Sequence, residues 1–70
     1  MSKILIHEAM RQARIEAGLS QCELAERANV YQCSLSKYER GLQVPRLYTA
    51  IQLSEALGLS LEEYLGLRDE

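Results

Sequence analysis

The chain has 70 residues and a formal net charge of -2, with 47% hydrophobic residues, 26% charged residues, one Pro, and neither Trp nor Phe. A chain of this length makes one domain with a small core, and a composition rich in Leu and Ala argues against a disordered or fibrous protein. No apolar run approaches the roughly 20 residues that cross a bilayer, and the N-terminus lacks a signal-peptide cleavage site, so we expect a cytoplasmic protein without membrane contact.

The charge is divided unevenly along the chain. Residues 1–46 contain seven Lys or Arg against five Glu, a net of +2, whereas residues 47–70 contain one Arg against five Asp or Glu, a net of -4. A protein whose acidic residues gather at one end can present a mildly positive surface at the other. The strongly basic surface that is typical of nucleic-acid binders is nevertheless absent.

Few residues suit metal, cofactor or catalytic chemistry. Cys22 and Cys33 form no CxxC pair, which favours free thiols over a disulfide or a zinc site. His7 has no Asp, Cys or second His at ligand spacing, and no nucleophile lies beside a base. We therefore expect no metal, no cofactor, no small-molecule ligand and no enzymatic activity.

The first predicted helix covers residues 3 to about 17. Ile6, Met10 and Ala13 fall at positions i, i+4 and i+7, which predicts one buried stripe. Gly18 ends this helix, because Gly adopts positive φ without steric cost.

The second predicted helix begins at Ser20. Ser20 and Glu23 form a capping box, and Leu19 can pack against Leu24 as a hydrophobic staple. Asn29 follows at the break, where it tolerates a left-handed conformation. The residues predicted to be buried are Leu24, Ala25 and Ala28.

The third predicted helix runs from about residue 32 to residue 40 and ends before Gly41. Leu35 and Tyr38 are expected to face inward. Another set of residues shares one side of this helix at positions i, i+1, i+4, i+5 and i+8, and none of them is acidic. They are Gln32, Cys33, Ser36, Lys37 and Arg40.

Two further helices complete an all-α chain of five helices. Pro45 has the fixed φ of a first helical turn, and apolar or small residues then follow at helical spacing until Gly58. They are Leu47, Ala50, Ile51, Ser54 and Leu57. The last helix repeats the earlier signals, with a capping box of Ser60 and Glu63 and a staple of Leu59 and Tyr64.

Several of these residues together resemble a known family. They are Gly18-Leu19-Ser20-Gln21, Glu23-Leu24-Ala25-Glu26, Asn29-Val30, the LSKYERG stretch of residues 35–41, Pro45 and Ala56-Leu57-Gly58. Over residues 6–65 the chain resembles the phage-repressor/Cro type of helix-turn-helix domain, the Xre-like family. The resemblance implies a compact five-helix, lambda-repressor-like DNA-binding domain that covers residues 1–70, with its helix-turn-helix unit at about residues 20–40 and its third helix in the major groove.

The resemblance also implies a set of DNA contacts. Base-reading positions match Gln32, Cys33, Ser36 and Lys37. Lys can donate to guanine and Gln can pair with adenine, so the side-chain chemistry agrees, although the same residues also fit an ordinary solvated helix face. Phosphate or backbone positions match Gln21, Tyr31, Arg40, Arg46 and Arg11. Arg14 and Glu39 resemble a structural ion pair between the first helix and the end of the third.

The chain departs from the family at three places. Tyr31 stands where Ser or Thr usually caps the third helix, so the ordinary N-cap is absent. Leu42-Gln43-Val44 replaces a loop that is often basic, which predicts a shallower salt dependence of DNA binding. Cys33 occupies a contact position where a hydrogen-bonding side chain is common.

Two functions follow as hypotheses. The first is a sequence-specific regulator of transcription that binds double-stranded DNA as a repressor, in the form of a homodimer on a palindromic operator. Leu61, Tyr64, Leu65 and Leu67 are expected to be partly core, and the apolar excess that one short helix need not bury would supply the dimer contact. The second is a protein-interaction module of the same fold, such as an antitoxin or an adaptor, which the acidic C-terminal third and the missing basic loop favour.

Overall fold

The computed structural model describes residues 5–67. These residues form five helices and no strand: α1 (Ile6–Glu16), α2 (Gln21–Ala28), α3 (Gln32–Glu39), α4 (Leu47–Ala56) and α5 (Leu61–Leu65). The α2 helix packs against α3 and α4, while α1 packs against α3 and α5. The predicted all-α fold with five helices is therefore confirmed. Within residues 5–67 no helix has the length and apolar character needed to span a membrane.

The α1 helix begins later than the sequence predicted. Leu5 has an extended backbone, with φ -66° and ψ 151°, so the helix starts at Ile6, and the predicted helical residues 3 and 4 lie outside the described part of the chain. Ile6 was predicted to be buried but is 40% exposed. A helical side chain covers the turn before its own Cα, and no turn precedes Ile6. The buried side of α1 consists instead of Ala9 and Met10, with Ala13 half-buried.

The core lies where all five helices meet. The largest fully buried side chains are Met10, Leu24, Leu35, Leu53 and Tyr64. Burial of Leu24, Ala25 and Ala28 on α2 and of Leu35 and Tyr38 on α3 confirms those predictions.

The burial of α4 differs from its apolar spacing at two residues. Leu47 fits the helical spacing, but it is the first residue of α4 and is largely exposed. Leu53, which no motif singled out, is fully buried. The stripe therefore runs through Ala50, Leu53 and Ser54, one turn further into the helix than the sequence pattern suggested.

Both predicted capping boxes are present. The Ser20 hydroxyl accepts from the Glu23 amide at 3.0 Å, and the Ser20 amide donates to the Glu23 carboxylate at 2.8 Å. Ser60 and Glu63 repeat the pattern at 3.1 and 2.9 Å. The hydrogen bond from the Ser20 amide is the main reason that the pKa of Glu23 lies below its ordinary value. These local contacts fix where α2 and α5 begin, and the residues predicted as staples, Leu19 and Leu59, pack against the core.

Candidate nucleic-acid interface

A short turn joins α2 to α3. Asn29 ends α2 in the left-handed conformation, with φ 60° and ψ 44°, as its side chain predicted. The Val30 amide then donates to the Ala25 carbonyl at 2.9 Å, and the Val30 side chain packs against the core. Tyr31 follows with an extended backbone, and α3 begins at Gln32. The turn is thus held by backbone geometry and by one apolar side chain, which sets the direction of α3 relative to α2.

The outer side of α3 carries the polar row, which we define as Gln32, Cys33, Ser36, Lys37 and Arg40. Four of the five side chains are exposed and Ser36 is half-buried, while Leu35 and Tyr38 fill the opposite, buried side. Within residues 5–67 the only side-chain hydrogen bond from the row runs from Arg40 Nε to the Ser36 carbonyl, at 3.4 Å. The donors and acceptors of Gln32 and Lys37 are therefore available to a partner molecule.

The first turn of α3 has no side-chain cap. Tyr31 occupies the N-cap position, makes no capping hydrogen bond and is 80% exposed. The missing N-cap was predicted from the sequence, because Tyr31 replaces the usual Ser or Thr. The amides of the first turn consequently have no partner from the capping side chain.

A buried ion pair lies behind α3. Arg14 Nε donates to Glu39 Oε2 at 2.8 Å, and a second guanidinium nitrogen of Arg14 donates to Glu39 Oε1 at 3.0 Å. A third nitrogen of Arg14 donates to the Leu19 carbonyl at 2.8 Å. Since the Glu39 side chain is only 1% exposed, this two-point contact compensates a fully desolvated carboxylate and ties α1 to the end of α3.

Gln21 joins the same group of hydrogen bonds. Its amide nitrogen donates to Glu39 Oε1 at 3.1 Å, so the first residue of α2 is fixed by the last residue of α3. The family resemblance implies a phosphate contact for Gln21, and this bond to Glu39 is an additional one. No pattern in the sequence could have revealed it, because the two residues are 18 positions apart and share no helix.

Tyr64 lies close enough to this ion pair to feel the charges of Glu39 and Arg14. Its side chain is fully buried, and its hydroxyl has no hydrogen-bond partner among residues 5–67. Burial raises the pKa of Tyr64 far above its ordinary value, and the nearby negative charge of Glu39 raises it further. The phenol is therefore neutral at physiological pH.

The other predicted backbone-contact residues are exposed arginines. Arg11 lies on α1, Arg40 follows the last residue of α3 and Arg46 precedes α4. None of the three has an ion-pair partner within residues 5–67. No group of three or more potential metal ligands occurs in the same part of the chain.

The predicted C-terminal apolar excess is only partly exposed. Tyr64 is fully buried and Leu61 and Leu65 are half-buried, whereas Leu67 is 56% exposed. A second group of exposed apolar side chains lies between the end of α3 and the first turn of α4. We call these residues the apolar segment: Leu42, Val44, Leu47 and Tyr48, which are 66–81% exposed.

The fold and the exposed α3 helix define a helix-turn-helix protein. Residues 10–64 match a family model described as helix-turn-helix, and the chain belongs to this family. The resemblance drawn from the sequence is thereby confirmed.

Individual relatives are transcriptional regulators by name. ImmR of Bacillus subtilis is 38% identical over 61 residues, which cover 87% of this chain and 47% of ImmR. SinR of Bacillus licheniformis is 37% identical over 67 residues, which cover 94% of this chain and 60% of SinR. This chain thus spans about half the length of ImmR and somewhat more than half of SinR.

Solved structures of two similar proteins contain DNA. SinR in complex with DNA gives a TM-score of 0.82 at 37% identity, covering 87% of this chain and 98% of that one. The P22 c2 repressor bound to a synthetic operator gives a TM-score of 0.81 at 27% identity, covering 90% and 96% of the two chains.

Proposed function

We propose that this chain is a sequence-specific regulator of transcription that binds double-stranded DNA in the cytoplasm. The observation that carries the proposal is the polar row. This side of α3 is largely exposed and contains no acidic residue, while the opposite side of the helix is buried in the core. A helix docks in the major groove when its outer side chains reach base edges and its inner side is held rigidly. The DNA complexes of SinR and of the P22 c2 repressor support this reading.

Within the polar row, each side chain has a distinct role in the proposal. Lys37 donates to guanine O6 and N7, and Gln32 pairs with the N6 and N7 atoms of adenine. Ser36 can donate or accept, while Cys33 offers a small, weakly polar contact. The operator sequence is therefore set mainly by Gln32 and Lys37, because these two residues make the most selective hydrogen bonds.

Backbone contacts fix the register of the protein on the duplex. Gln21 has two amide hydrogens, of which Glu39 accepts one, so the second remains for a phosphate while the amide is held in a fixed direction. Arg40, Arg46 and Arg11 supply exposed cationic donors, and Tyr31 supplies a phenol next to the uncapped start of α3. These contacts add affinity without sequence preference.

The proposed active form is a homodimer on a palindromic operator, acting as a repressor that occludes a promoter. Two symmetric copies place their α3 helices about 34–36 Å apart, one turn of DNA. The apolar segment is an exposed apolar surface available to the second copy, whereas three of the four predicted C-terminal residues are buried or half-buried. Burial of its four side chains against an identical surface would remove them from water.

The test is to select a binding site from random DNA and to measure the affinity of variants for matched and unmatched duplexes. Lys37→Ala should lose about 1–3 kcal/mol on the matched site and little on unmatched DNA, because Lys37 reads a base. Gln21→Ala should weaken both duplexes alike, because Gln21 contacts the backbone. Arg27→Ala removes the same charge from an exposed position on α2 outside the polar row and serves as the control. Equal losses for Lys37→Ala and Arg27→Ala on the matched site would reject the assignment of the row.

A second function has separate support. A protein-interaction module of this fold would use the apolar segment to bind another protein. A solved structure of a relative, SinR, is a complex with the SinI protein. The same binding measurement separates the two proposals. Binding that weakens with salt according to several phosphate contacts supports DNA, whereas no duplex bound at micromolar protein supports the interaction module.

A further inference from the structure

The start of the apolar segment is fixed to the end of α3. The Leu42 amide donates to the Lys37 carbonyl at 2.9 Å, which ties the first residue of the segment to the last turn of the helix. Gly41, with φ +76°, packs against His7 of α1, because a Cβ atom at position 41 would lie 3.0 Å from His7 Nδ1. A contact made through Leu42 is therefore fixed in direction relative to the polar row.

The apolar area of this segment is small for a stable dimer. Its four side chains are 66–81% exposed. This exposure corresponds to roughly 250–450 Å² of apolar surface per copy. A stable interface buries about 800 Å² per partner. The apolar segment therefore supplies about half of that area or less, and the remainder has to come from neighbouring polar residues or from a third molecule that holds both copies.

The neighbouring charged residues oppose the pairing of two free copies. Residues 40–48 contain Arg40 and Arg46 and no acidic residue. Both arginines are exposed, and neither has an ion-pair partner within residues 5–67. A two-fold contact places identical surfaces against each other, so the arginines of the two copies gather at the same contact and repel. Phosphates of a bound duplex compensate this charge, which free solution does not.

We infer that the chain is a monomer in free solution and pairs with a second copy through the apolar segment only on the operator. The duplex holds two copies at a high effective concentration, and its phosphates compensate the arginines that repel in the free pair. A second copy therefore binds a full palindromic operator more tightly than it binds a single half-site. This inference rests on the proposed DNA-binding function and adds to it the order of assembly.

The test compares the free and the DNA-bound protein. Sedimentation equilibrium at micromolar concentration should show monomers. A duplex with both half-sites should bind its second copy at least about tenfold more tightly than a duplex with one half-site binds its single copy. Added salt should strengthen the weak self-association at millimolar protein, because it screens the arginines, while it weakens binding to the operator.

Val44→Ser tests the apolar segment itself. Val44 is 81% exposed, so folding and the affinity for a single half-site should match the wild type. The preference for the full operator should fall by about tenfold, because an apolar contact is lost on each copy. Leu67→Ser is the matched control, since Leu67 is 56% exposed and lies outside the segment. This variant should keep the preference for the full operator.

The inference is overturned if the free protein is already dimeric at micromolar concentration or if its self-association weakens with salt. It is also overturned if Val44→Ser keeps the preference for the full operator, which would leave the segment to another protein. Loss of the preference in Leu67→Ser alone would place the contact between copies at the C-terminus instead. In each of these cases, loss of specific binding in Lys37→Ala still supports the proposed function, whereas a wild type that binds no duplex overturns both.

Discussion

Replacement of Tyr64 by Phe should stabilise the protein, although it deletes a polar group from the middle of the core. The side chain is fully buried and its hydroxyl has no hydrogen-bond partner among residues 5–67. A buried polar group without a partner costs about 1–3 kcal/mol of stability relative to water. Phe keeps the ring and its contacts, so the substitution removes this cost and leaves a space of only one oxygen atom.

We therefore expect Tyr64→Phe to raise the free energy of unfolding by about 1 kcal/mol, which corresponds to roughly 4–8 °C in Tm for a domain of this size. Urea titration followed by far-UV circular dichroism at neutral pH measures the difference. Tyr38→Phe is the matched control, because Tyr38 is also a core tyrosine but retains 8% exposure. Its hydroxyl can reach water, so its removal should change stability little.

The pH dependence of stability gives a second measure of the same hydroxyl. The pKa of Tyr64 is raised in the folded state, so the unfolded chain loses this proton first as the pH rises. Stability should consequently fall above about pH 10, the ordinary pKa of tyrosine, and Tyr64→Phe should fall less steeply than the wild type. A loss of 1 kcal/mol or more in Tyr64→Phe at neutral pH would refute the reasoning, since it would mean that the hydroxyl is hydrogen-bonded in solution.

Two further predictions concern charged groups. Arg14→Met should cost about 3–5 kcal/mol in urea denaturation, because it leaves the buried Glu39 carboxylate without its cation, and adding Glu39→Met to it should restore much of the loss. A cost below about 1 kcal/mol for the single variant would contradict a desolvated pair. Glu23→Gln should keep the capping box but make stability less sensitive to acid. The pKa of Glu23 is lowered in the folded state, so its stabilisation is present above about pH 4.5 and is lost as the pH falls; an unchanged acid profile in Glu23→Gln would argue against this assignment.

Local structure was predictable wherever its cause lies within a few residues. Both capping boxes join residues three positions apart, and the left-handed Asn29 depends on its own side chain. Such contacts form in the same way in any protein that contains the sequence, so the starts of α2 and α5 and the turn between α2 and α3 followed from the sequence.

Burial at helix ends was less predictable, because periodicity identifies a side of a helix but not how far the neighbouring helices extend. Ile6 and Leu47 fit the apolar periodicity, yet each is the first residue of its helix and remains exposed. The C-terminal apolar residues were predicted to be partly core, but the sequence did not indicate which of them the core takes up; the structure buries Tyr64 fully and leaves Leu67 exposed.

The candidate site was also only partly predictable from local sequence. The side of α3 that carries the polar row followed from helical spacing, while the Arg14–Glu39 pair, 25 residues apart, was expected only from the family resemblance. The bond between Gln21 and Glu39 and the packing of His7 on Gly41 depend on how α1, α2 and α3 come together. No local pattern records those distances, so only the folded chain reveals them.

The side chains of the polar row make almost no hydrogen bonds to the rest of residues 5–67, and this affects which substitutions the protein tolerates. Gln32, Cys33 and Lys37 contribute no side-chain hydrogen bond to the folded residues 5–67, so exchanging them sacrifices little stability. If the polar row reads DNA as proposed, a few substitutions there would change the target sequence almost independently of folding. Glu39, by contrast, sits next to the same surface and should tolerate almost no change.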